Sequence, residues 1–421
     1  MTTEQESREA VVLSHLSAIY PDIEALYTDL HEHPELSMQE VQTSAKVASR
    51  LKDAGLEVTS GVGGTGVVGI LRNGSGPTVM LRGDMDALPM EEKTSLPYAS
   101  TVKVKNSAGQ VVPVGHMCGH DLHTSCLVGT ARLLAQGKQA WSGTLMIVAQ
   151  PGEETMQGAK AMLDDGLFTR FPKPDVALAQ HTNPLPAGTI GYHPGYTLAA
   201  EHNVRIRLFG IGGHGSAPQK SIDPAVMASA LVMRLQTIVS REIIPGEIAI
   251  VTVGAIKCGT TYNVIPDEAE LDLTIRTFKD EVYQRIYSAL TRMAQAEAAA
   301  SNAPELPEVS VMEASQATYN DPEPTKQVVG ALTQHFGADR VKEIPAMTAS
   351  EDFSYYGHVP GGAGIPSCYY FLGITDPALY KEKNGDVPGP HSPYYAPDRE
   401  TSLKTGLQAL TVAALSQLGK P

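Results

Sequence analysis

Pro77-Thr-Val-Met-Leu81-Arg-Gly-Asp84-Met-Asp86 decides how this chain folds: a short apolar run reads as a buried β-strand and delivers two carboxylates just past its end. The same construction recurs twice. Residues 144–149 form a second such strand that empties into Gln150-Pro-Gly-Glu153-Glu154, and residues 175–179 a third that closes at Gln180-His181. Helical spacing of apolar residues predicts helices over 122–134 and near 158–165 between these strands. Strands alternating with helices define an α/β fold, and open α/β sheets bind ligands beyond the carboxyl ends of their strands. Asp84, Asp86, Glu153, Glu154 and His181 are therefore expected to converge at one sheet edge.

Between the first strand and the helix at 122–134 lies Gly115-His-Met-Cys118-Gly-His120-Asp-Leu-His123, too dense in metal-binding atoms for ordinary loop sequence. Thiolate and imidazole are the donors that borderline-soft cations such as zinc prefer, and Cys-x-His sets both at one turn. Glu153-Glu154 is the second signal. Adjacent carboxylates repel unless a cation or a shared proton relieves them. Metal-assisted hydrolysis uses both: one binds metal, while the other takes a proton from the attacking water and later delivers it to the leaving amine. His181 ends a strand, and His391 sits in Pro390-His-Ser-Pro393, where proline rigidity lowers the entropy cost of holding a ligand.

Further out, residues 8–30 and 37–51 carry helical periodicity and are expected to form a helical cover, while 56–72 is β-rich. Gly61-Val-Gly63-Gly64-Thr-Gly66 spells the dinucleotide fingerprint G-x-G-x-x-G, but Val67-Val-Gly-Ile-Leu71 continues as a β-run instead of opening a helix. The glycines are read as a turn between strands, which argues against a nicotinamide oxidoreductase. His31-Glu-His33-Pro-Glu35 lacks the i, i+4 histidine pair of H-E-x-x-H and is read as a helix end before Pro34.

From 203 to 313 the order becomes strand (203–209), helix (223–240), strand (247–256), strand (268–277), helix (281–300) and strand (308–313), a ferredoxin-like βαββαβ unit. Metal-type residues resume only afterwards, at Ser350-Glu-Asp352 and His391. A discontinuous catalytic domain, 1–196 and 315–421, with an inserted module at 197–314 is the expected organisation. Inside that module, Gly210-Ile-Gly-Gly-His214-Gly-Ser either merely turns the chain or lets His214 donate to a developing oxyanion. Asn263 and Arg276, an amide and a guanidinium, suit a carboxylate-bearing substrate.

The composition bounds these readings. A chain of 421 residues predicts two domains with a large core. A formal charge of −14 without any Lys/Arg block argues against a nucleic-acid or polybasic membrane partner. The N-terminus lacks a signal-like apolar stretch, and no run approaches a membrane span, so a cytoplasmic enzyme is expected. Four scattered cysteines, Cys118, Cys126, Cys258 and Cys368, do not make a disulfide framework, which keeps Cys118 available as a ligand. The rival from another class is a non-catalytic metal-binding scaffold. Structural zinc sites are closed by protein ligands, whereas a free carboxylate beside an open metal position favours an enzyme.

Taken together and in order, these landmarks resemble the M20 metallopeptidase family, in particular its amidohydrolase branch of aminoacylases, hippurate hydrolases and indole-acetyl-amino-acid hydrolases. They are residues 31–40, Arg82-Gly-Asp-Met-Asp-Ala-Leu-Pro89, 115–123, 150–154, Gly-Gly-His214-Gly-Ser, Asn263-Val-Ile-Pro-Asp267, Ser350-Glu-Asp-Phe353 and His391-Ser-Pro393. The resemblance implies a zinc-peptidase-like catalytic domain, a mixed sheet flanked by helices, and an inserted lid that also dimerises. It implies two divalent metal ions, zinc as the expected species with manganese, cobalt or nickel as alternatives, held by Cys118, His120, Glu154, His181 and His391 with Cys118 shared. Glu153 becomes the general base and acid. Asp86 supports a ligand, His214 reaches the neighbouring subunit's site in a homodimer or higher oligomer, and Asn263 and Arg276 grip the substrate. The implied reaction is hydrolysis of the amide bond of N-acyl amino acids, with a dipeptidase or carboxypeptidase of the same fold as the alternative. The chain departs from the wider family in having Asp84 where a histidine is usual and Cys118 where a bridging aspartate is usual. It also carries a longer segment at 98–114.

Overall fold

A computed structural model describes residues 2–106, 108–359 and 361–420. It divides into two compact units: Met1–Thr197, Tyr319–Ala346 and Asp352–Pro421 form one, and Leu198–Thr318 with Met347–Glu351 the other.

The first unit begins with helices α1 (Thr2–Leu13), α2 (Leu16–Glu32) and α3 (Val41–Asp53), followed by strands β1 (Glu57–Val62), β2 (Gly66–Asn73) and β3 (Thr78–Asp84). Then come α4 (His120–Gln136), β4 (Gly143–Gln150), α5 (Gly158–Asp164), β5 (Val176–Pro186) and β6 (Ile190–Tyr192). The second unit supplies β7 (Ala200–Phe209), α6 (Pro224–Arg241), β8 (Ala249–Cys258), β9 (Glu268–Thr277), α7 (Asp280–Ala300) and β10 (Glu308–Ser315). The chain returns to the first unit with α8 (Pro322–Phe336), β11 (Val341–Glu343), β12 (Ser367–Thr375) and α9 (Arg399–Gln417).

The first unit is built on an eight-stranded mixed sheet in the order β1-β2-β4-β3-β5-β12-β6-β11. Its centre, β4-β3-β5-β12, is parallel, while β2 against β4 and β6 against β12 run antiparallel. Parallel strands covered on both faces read as continuous apolar runs. Val79, Met80 and Leu81 of β3 and Leu145 to Ala149 of β4 are accordingly all buried. The glycines at 61–66 do turn between antiparallel strands: β1 pairs with β2, and Gly63 and Gly64 have φ of 64° and 110°.

Three local expectations are corrected. The N-terminal helical stretch is two helices, and at the break Ser14 donates its hydroxyl to the Val11 carbonyl at 2.7 Å, a local bond that competes with helix continuation. The next helix starts at Val41, not 37, because Met38 has a left-handed φ of 62° and Ser37 and Glu40 direct their side chains to other elements. The third buried strand does not close at His181. It continues to Pro186 because β12 pairs beside it, Phe371 with His181 and Thr375 with Pro186.

Segment 98–114 carries a small hairpin, Lys103–Lys105 against Val111–Pro113. Val102, Val104 and Val112 cover Leu36, Ala87 and Val114 in a satellite cluster. Ser107 of this segment lies outside the described residues.

The second unit is a four-stranded antiparallel sheet in the order β8-β9-β7-β10, with the connectivity βαββαβ. β7 and β9 alternate buried with part-exposed residues, as expected of a sheet covered on one face. Val204, Ile206 and Leu208 pack with Leu231, Leu235, Leu271, Ile286 and Leu290 from the two helices and β9. The other face carries cross-strand ion pairs, Arg205 with Asp272 at 2.7 Å and Arg207 with Glu268 at 2.6 Å.

Candidate metal centre

The site lies at the carboxyl edge of the parallel strands in the first unit. Asp84 is the last residue of β3 and pairs with Gln150, the last residue of β4. Glu153 and Glu154 follow on a 3₁₀ turn (Glu153–Thr155) entered through Gly152 at φ 58°. His120 opens α4, entered through Gly119 at φ 83°. A Cβ on Gly119 would stand 2.5 Å from Thr182 Oγ1, and that hydroxyl donates to the Cys118 carbonyl at 2.8 Å. The Cys118-Gly119-His120 turn is thus keyed to β5 by backbone shape. His391 has a left-handed φ of 64°, and its N–H donates to the Met117 carbonyl at 2.7 Å, tying its loop to the same turn. Such conformations cost about 1–3 kcal/mol and persist where surroundings over-determine them.

Candidate ligand atoms of Cys118, His120 and His181 lie within 4.8 Å of one another, as do those of Cys118, Glu154 and His391, and those of His120, Glu153 and Glu154. Cys118 is common to the first two groups and Glu154 to the last two. Cys118 Sγ is 3.5 Å from His181 Nε2, and His391 Nε2 is 3.2 Å from Glu154 Oε2. The six residues Cys118, His120, Glu153, Glu154, His181 and His391 are therefore one cluster.

Surrounding bonds fix the imidazoles. His181 Nδ1–H donates to the Thr182 carbonyl at 2.7 Å, which turns the Nε2 lone pair toward Cys118. His120 Nδ1 bonds Asp86 Oδ1 at 3.1 Å, so its Nε2 faces Asp84 and Glu153 at 3.8 Å and Glu154 at 3.9 Å. Asp86 Oδ2 accepts the Ser37 hydroxyl at 2.6 Å and the Glu154 backbone N–H at 3.0 Å. Burial opposes its ionisation, but the bonds from His120, Ser37 and Glu154 hold its carboxyl below the usual range.

Electrostatics favour a cation here. His120 Nε2 and Glu154 Oε1 are buried without a hydrogen-bond partner among the described residues. The separations of His120 Nε2 from Glu153 and Glu154, 3.8 and 3.9 Å, are too long for hydrogen bonds and suit donors facing a common ion. Burial lowers the His120 pKa, yet Asp84, Asp86 and Glu154 outweigh it and push it up to about 10. Burial and the Glu154, Glu153 and Asp84 carboxylates raise the Cys118 thiol well above its ordinary value, a direction that a bound cation reverses. His181 is held well below the ordinary value by burial and by His123, keeping its lone pair available. The donor set fits divalent metal.

Asp84 does not offer itself in the same way. Its Oδ1 accepts from His123 Nδ1 at 2.6 Å and its Oδ2 from Arg82 Nη1 at 2.6 Å, while His123 Nε2 accepts the Thr182 N–H at 2.8 Å. Arg82 also bonds Gln150 and Asp352 at 2.9 and 3.0 Å. No individual role is assigned from sequence to His123, Thr182, Arg82 or Asp352; three of them lie within motifs, and Thr182 is marked only by following His181. The helix α2 does end before Pro34, as the polar run implied, but His31 in its last turn is buried between Asp121 at 2.6 Å and Glu92 at 3.0 Å.

In the second unit, the backbone of His214 pairs with that of Val264, next to Asn263. His214 Nδ1 accepts from the Ser216 N–H at 3.1 Å and lies 2.8 Å from the Ser216 hydroxyl, which places the ring proton on Nε2 as an available donor. Asn263 is exposed and Arg276 part-exposed; Arg276 pairs with Glu201 at 2.8 Å and bonds Ser350.

A parallel-sheet edge carrying this thiol, imidazole and carboxylate set defines an α/β metallohydrolase. The Peptidase family M20/M25/M40 profile matches residues 80–416, and the chain belongs to that family. It is 34% identical over 369 residues to N-acetyl-L-cysteine deacetylase of Bacillus subtilis, covering 86% of this chain and 83% of that protein. It is 41% identical over 281 residues to hippurate hydrolase of Campylobacter jejuni, covering 65% and 70%. The crystal structure of a dinuclear metal-binding M20 peptidase from Bacillus subtilis superposes with a TM-score of 0.77 at 29% identity, covering 95% of this chain and 98% of that one. The chain is a metal-dependent amidohydrolase.

Proposed function

We propose that this enzyme removes the acyl group from N-acyl amino acids, with Glu153 as general base and acid. The observation that carries the reading is the division of labour within the glutamate pair. Glu154 belongs to both the Cys118/His391 group and the His120 group, whereas Glu153 joins the His120 group and none that contains the thiol. Cys118, His120, Glu154, His181 and His391 would hold two divalent ions, zinc by the thiol and imidazole content. When bound, the ions polarise the amide carbonyl and acidify water. Glu153 accepts the proton of the attacking water and passes it to the leaving amine nitrogen; Asp86 keeps His120 in one tautomer. The named substrates of the two relatives, N-acetylcysteine and hippurate, are both N-acyl amino acids, which supports this substrate class.

The second unit completes the proposal as lid and dimerisation module of a homodimer, its His214, Asn263 and Arg276 serving substrate. His214 supplies an Nε2–H donor for the developing oxyanion of the neighbouring subunit's site. Four unpaired thiols are in keeping with a cytoplasmic location. Among the described residues no helix is long and apolar enough to cross a membrane.

The test is chelation followed by single-metal reloading, with folding monitored by circular dichroism and turnover measured on N-acetyl and N-benzoyl amino acids beside free-amine dipeptides. Undiminished hydrolysis by folded, metal-stripped protein sinks the reading, and a preference for dipeptides replaces it with a peptidase. Mixing Glu153→Gln with His214→Ala protein tests the dimer: random exchange should restore activity at about a quarter of the sites, and no restoration removes His214 from the partner's site.

A further inference from the structure

We infer that the loop Ser37–Glu40 is a brace for the catalytic glutamate turn and that Glu40 is its positioning residue; this rests on the metal-centre reading above. Glu40 is fully buried. Its Oε1 accepts two backbone N–H groups at 2.8 Å each, from Met38 and from Gly152, and its Oε2 accepts the Thr65 hydroxyl at 2.5 Å. One carboxylate thus joins the start of α3, the β1–β2 turn and the residue that precedes Glu153.

Both backbone donors on Oε1 belong to left-handed residues, Met38 at φ 62° and Gly152 at φ 58°. They also interlock: a Cβ on Gly152 would stand 2.5 Å from Met38 Sδ. A non-glycine residue in that conformation needs compensation, and two backbone hydrogen bonds to one oxygen provide it. Two residues upstream of Met38, Leu36 bridges Ala87, and Ser37 donates to the Asp86 oxygen that also accepts the Glu154 N–H. The loop therefore holds the glutamate turn twice, at Gly152 through Glu40 and at Glu154 through Ser37 and Asp86.

Glu40 touches neither the candidate ligands nor the reacting atoms, so its effect travels through the backbone of residues 152–154. Removing it frees that turn, and the quantities that move are the grip of Glu154 on metal and the aim of Glu153. Glutamine keeps an oxygen for the two N–H groups and an amide that can donate to the Thr65 hydroxyl, so it should preserve the brace where alanine does not.

The experiment measures zinc affinity by competition with a chelator, alongside thermal unfolding of the metal-free protein and kcat and KM on N-acetyl amino acids. For Glu40→Ala, affinity for at least one zinc ion should fall about 10- to 100-fold, the range typical of lost outer partners of metal ligands. Glu40→Gln should stay within about threefold of wild type on the same scale, and Ser37→Ala should show the same direction of loss as alanine at 40. Wild-type zinc affinity in Glu40→Ala overturns the inference, as does equal loss in Glu40→Gln. Should Glu40→Ala fail to fold, Ser37→Ala and Glu40→Gln decide alone: the brace is rejected if Ser37→Ala binds zinc as wild type does or Glu40→Gln loses it. The zinc readout is independent of substrate, so wild-type protein that binds zinc but hydrolyses no acyl amino acid refutes the proposed function and leaves the brace standing.

Discussion

Replacing His31 by leucine should destabilise the metal-free protein by about 3–5 kcal/mol, because it leaves two buried carboxylates without the imidazolium between them. The side chains of His31, Glu92 and Asp121 are 1%, 0% and 2% exposed, so water cannot take the place of the lost partner. Burial works against the imidazolium, but the bonds to Asp121 and Glu92 win and raise its pKa from 6.5 to about 10. Holding the imidazolium that far above its ordinary value is worth at most ~5 kcal/mol, in line with the cost of breaking a buried pair. For a unit of roughly 300 residues, an unfolding entropy near 2.1 cal/mol/K per residue converts the loss into a melting-temperature drop of about 5–8 °C.

The pH dependence is the sharper part. Below pH 6.5 the imidazole is protonated both folded and unfolded, so its contribution is fully present. Between 6.5 and about 10 the unfolded chain sheds the proton while the folded one keeps it, and the contribution drains away. Asp121 and Glu92 have lowered values, despite burial, through their bonds to His31 and the neighbouring charge of His116 or His31. Their contribution is present above the ordinary carboxylate values and is lost as pH falls through the lowered ones. The gap between wild type and His31→Leu should therefore be widest from about pH 4.5 to 6.5 and narrow toward pH 9.5. Calorimetric unfolding of both metal-free proteins across that range measures it. A gap below 1 kcal/mol at pH 6, or one that stays flat to pH 9.5, would refute the reasoning.

Glu153→Gln should retain both metal ions by elemental analysis while kcat falls about 10² to 10⁴-fold, the usual contribution of general acid–base catalysis; retained turnover reassigns the base. Asp86→Asn keeps the shape but removes the charge that three donors share, and should weaken metal binding about 10- to 100-fold in a chelator competition; unchanged binding contradicts its supporting role. Gly119→Ala meets Thr182 at 2.5 Å in a backbone conformation that alone costs an L-residue about 1–2 kcal/mol, so a lowered melting temperature and impaired metal loading are expected. A wild-type melting temperature would mean the turn is not keyed to Thr182.

What the sequence made legible was local. Buried parallel strands announce themselves as unbroken apolar runs, and the residues just past β3 and β4 are those with chemistry. The βαββαβ order of the second unit followed from period-2 and period-3.6 stretches in succession, because a sheet covered on one face must alternate. What stayed hidden was long-range pairing. The extension of β5 past His181 depends on β12, nearly two hundred residues downstream, and nothing within β5 signals that partner. The late start of α3 has the same origin, since the helical periodicity from Ser37 is real, but Ser37 and Glu40 are bound to Asp86 and Gly152. Likewise His31 looked like a helix terminus because its sequence neighbours say so, while its charge partners lie 61 and 90 residues away.

Asp84 joins these two kinds of information. Where a histidine is usual in the wider family, the aspartate takes His123 on one oxygen and Arg82 on the other, and His123 in turn accepts the Thr182 N–H. One side chain at the end of β3 thereby links α4 and β5, which carry His120 and His181. Despite burial, Arg82, His120 and His123 hold Asp84 well below the usual carboxylate range, so it is a fixed negative charge. Substituting histidine would therefore not simply return a ligand. It would set an imidazole against a guanidinium that is 2% exposed and remove the acceptor that orients His123. Asp84→His should lower stability by about 3–5 kcal/mol, the cost of breaking a buried ion pair. It should also weaken metal binding through His120 and His181. If that variant instead melts with wild-type stability and binds metal more tightly, Asp84 is a displaced ligand and not the strut that orders two others.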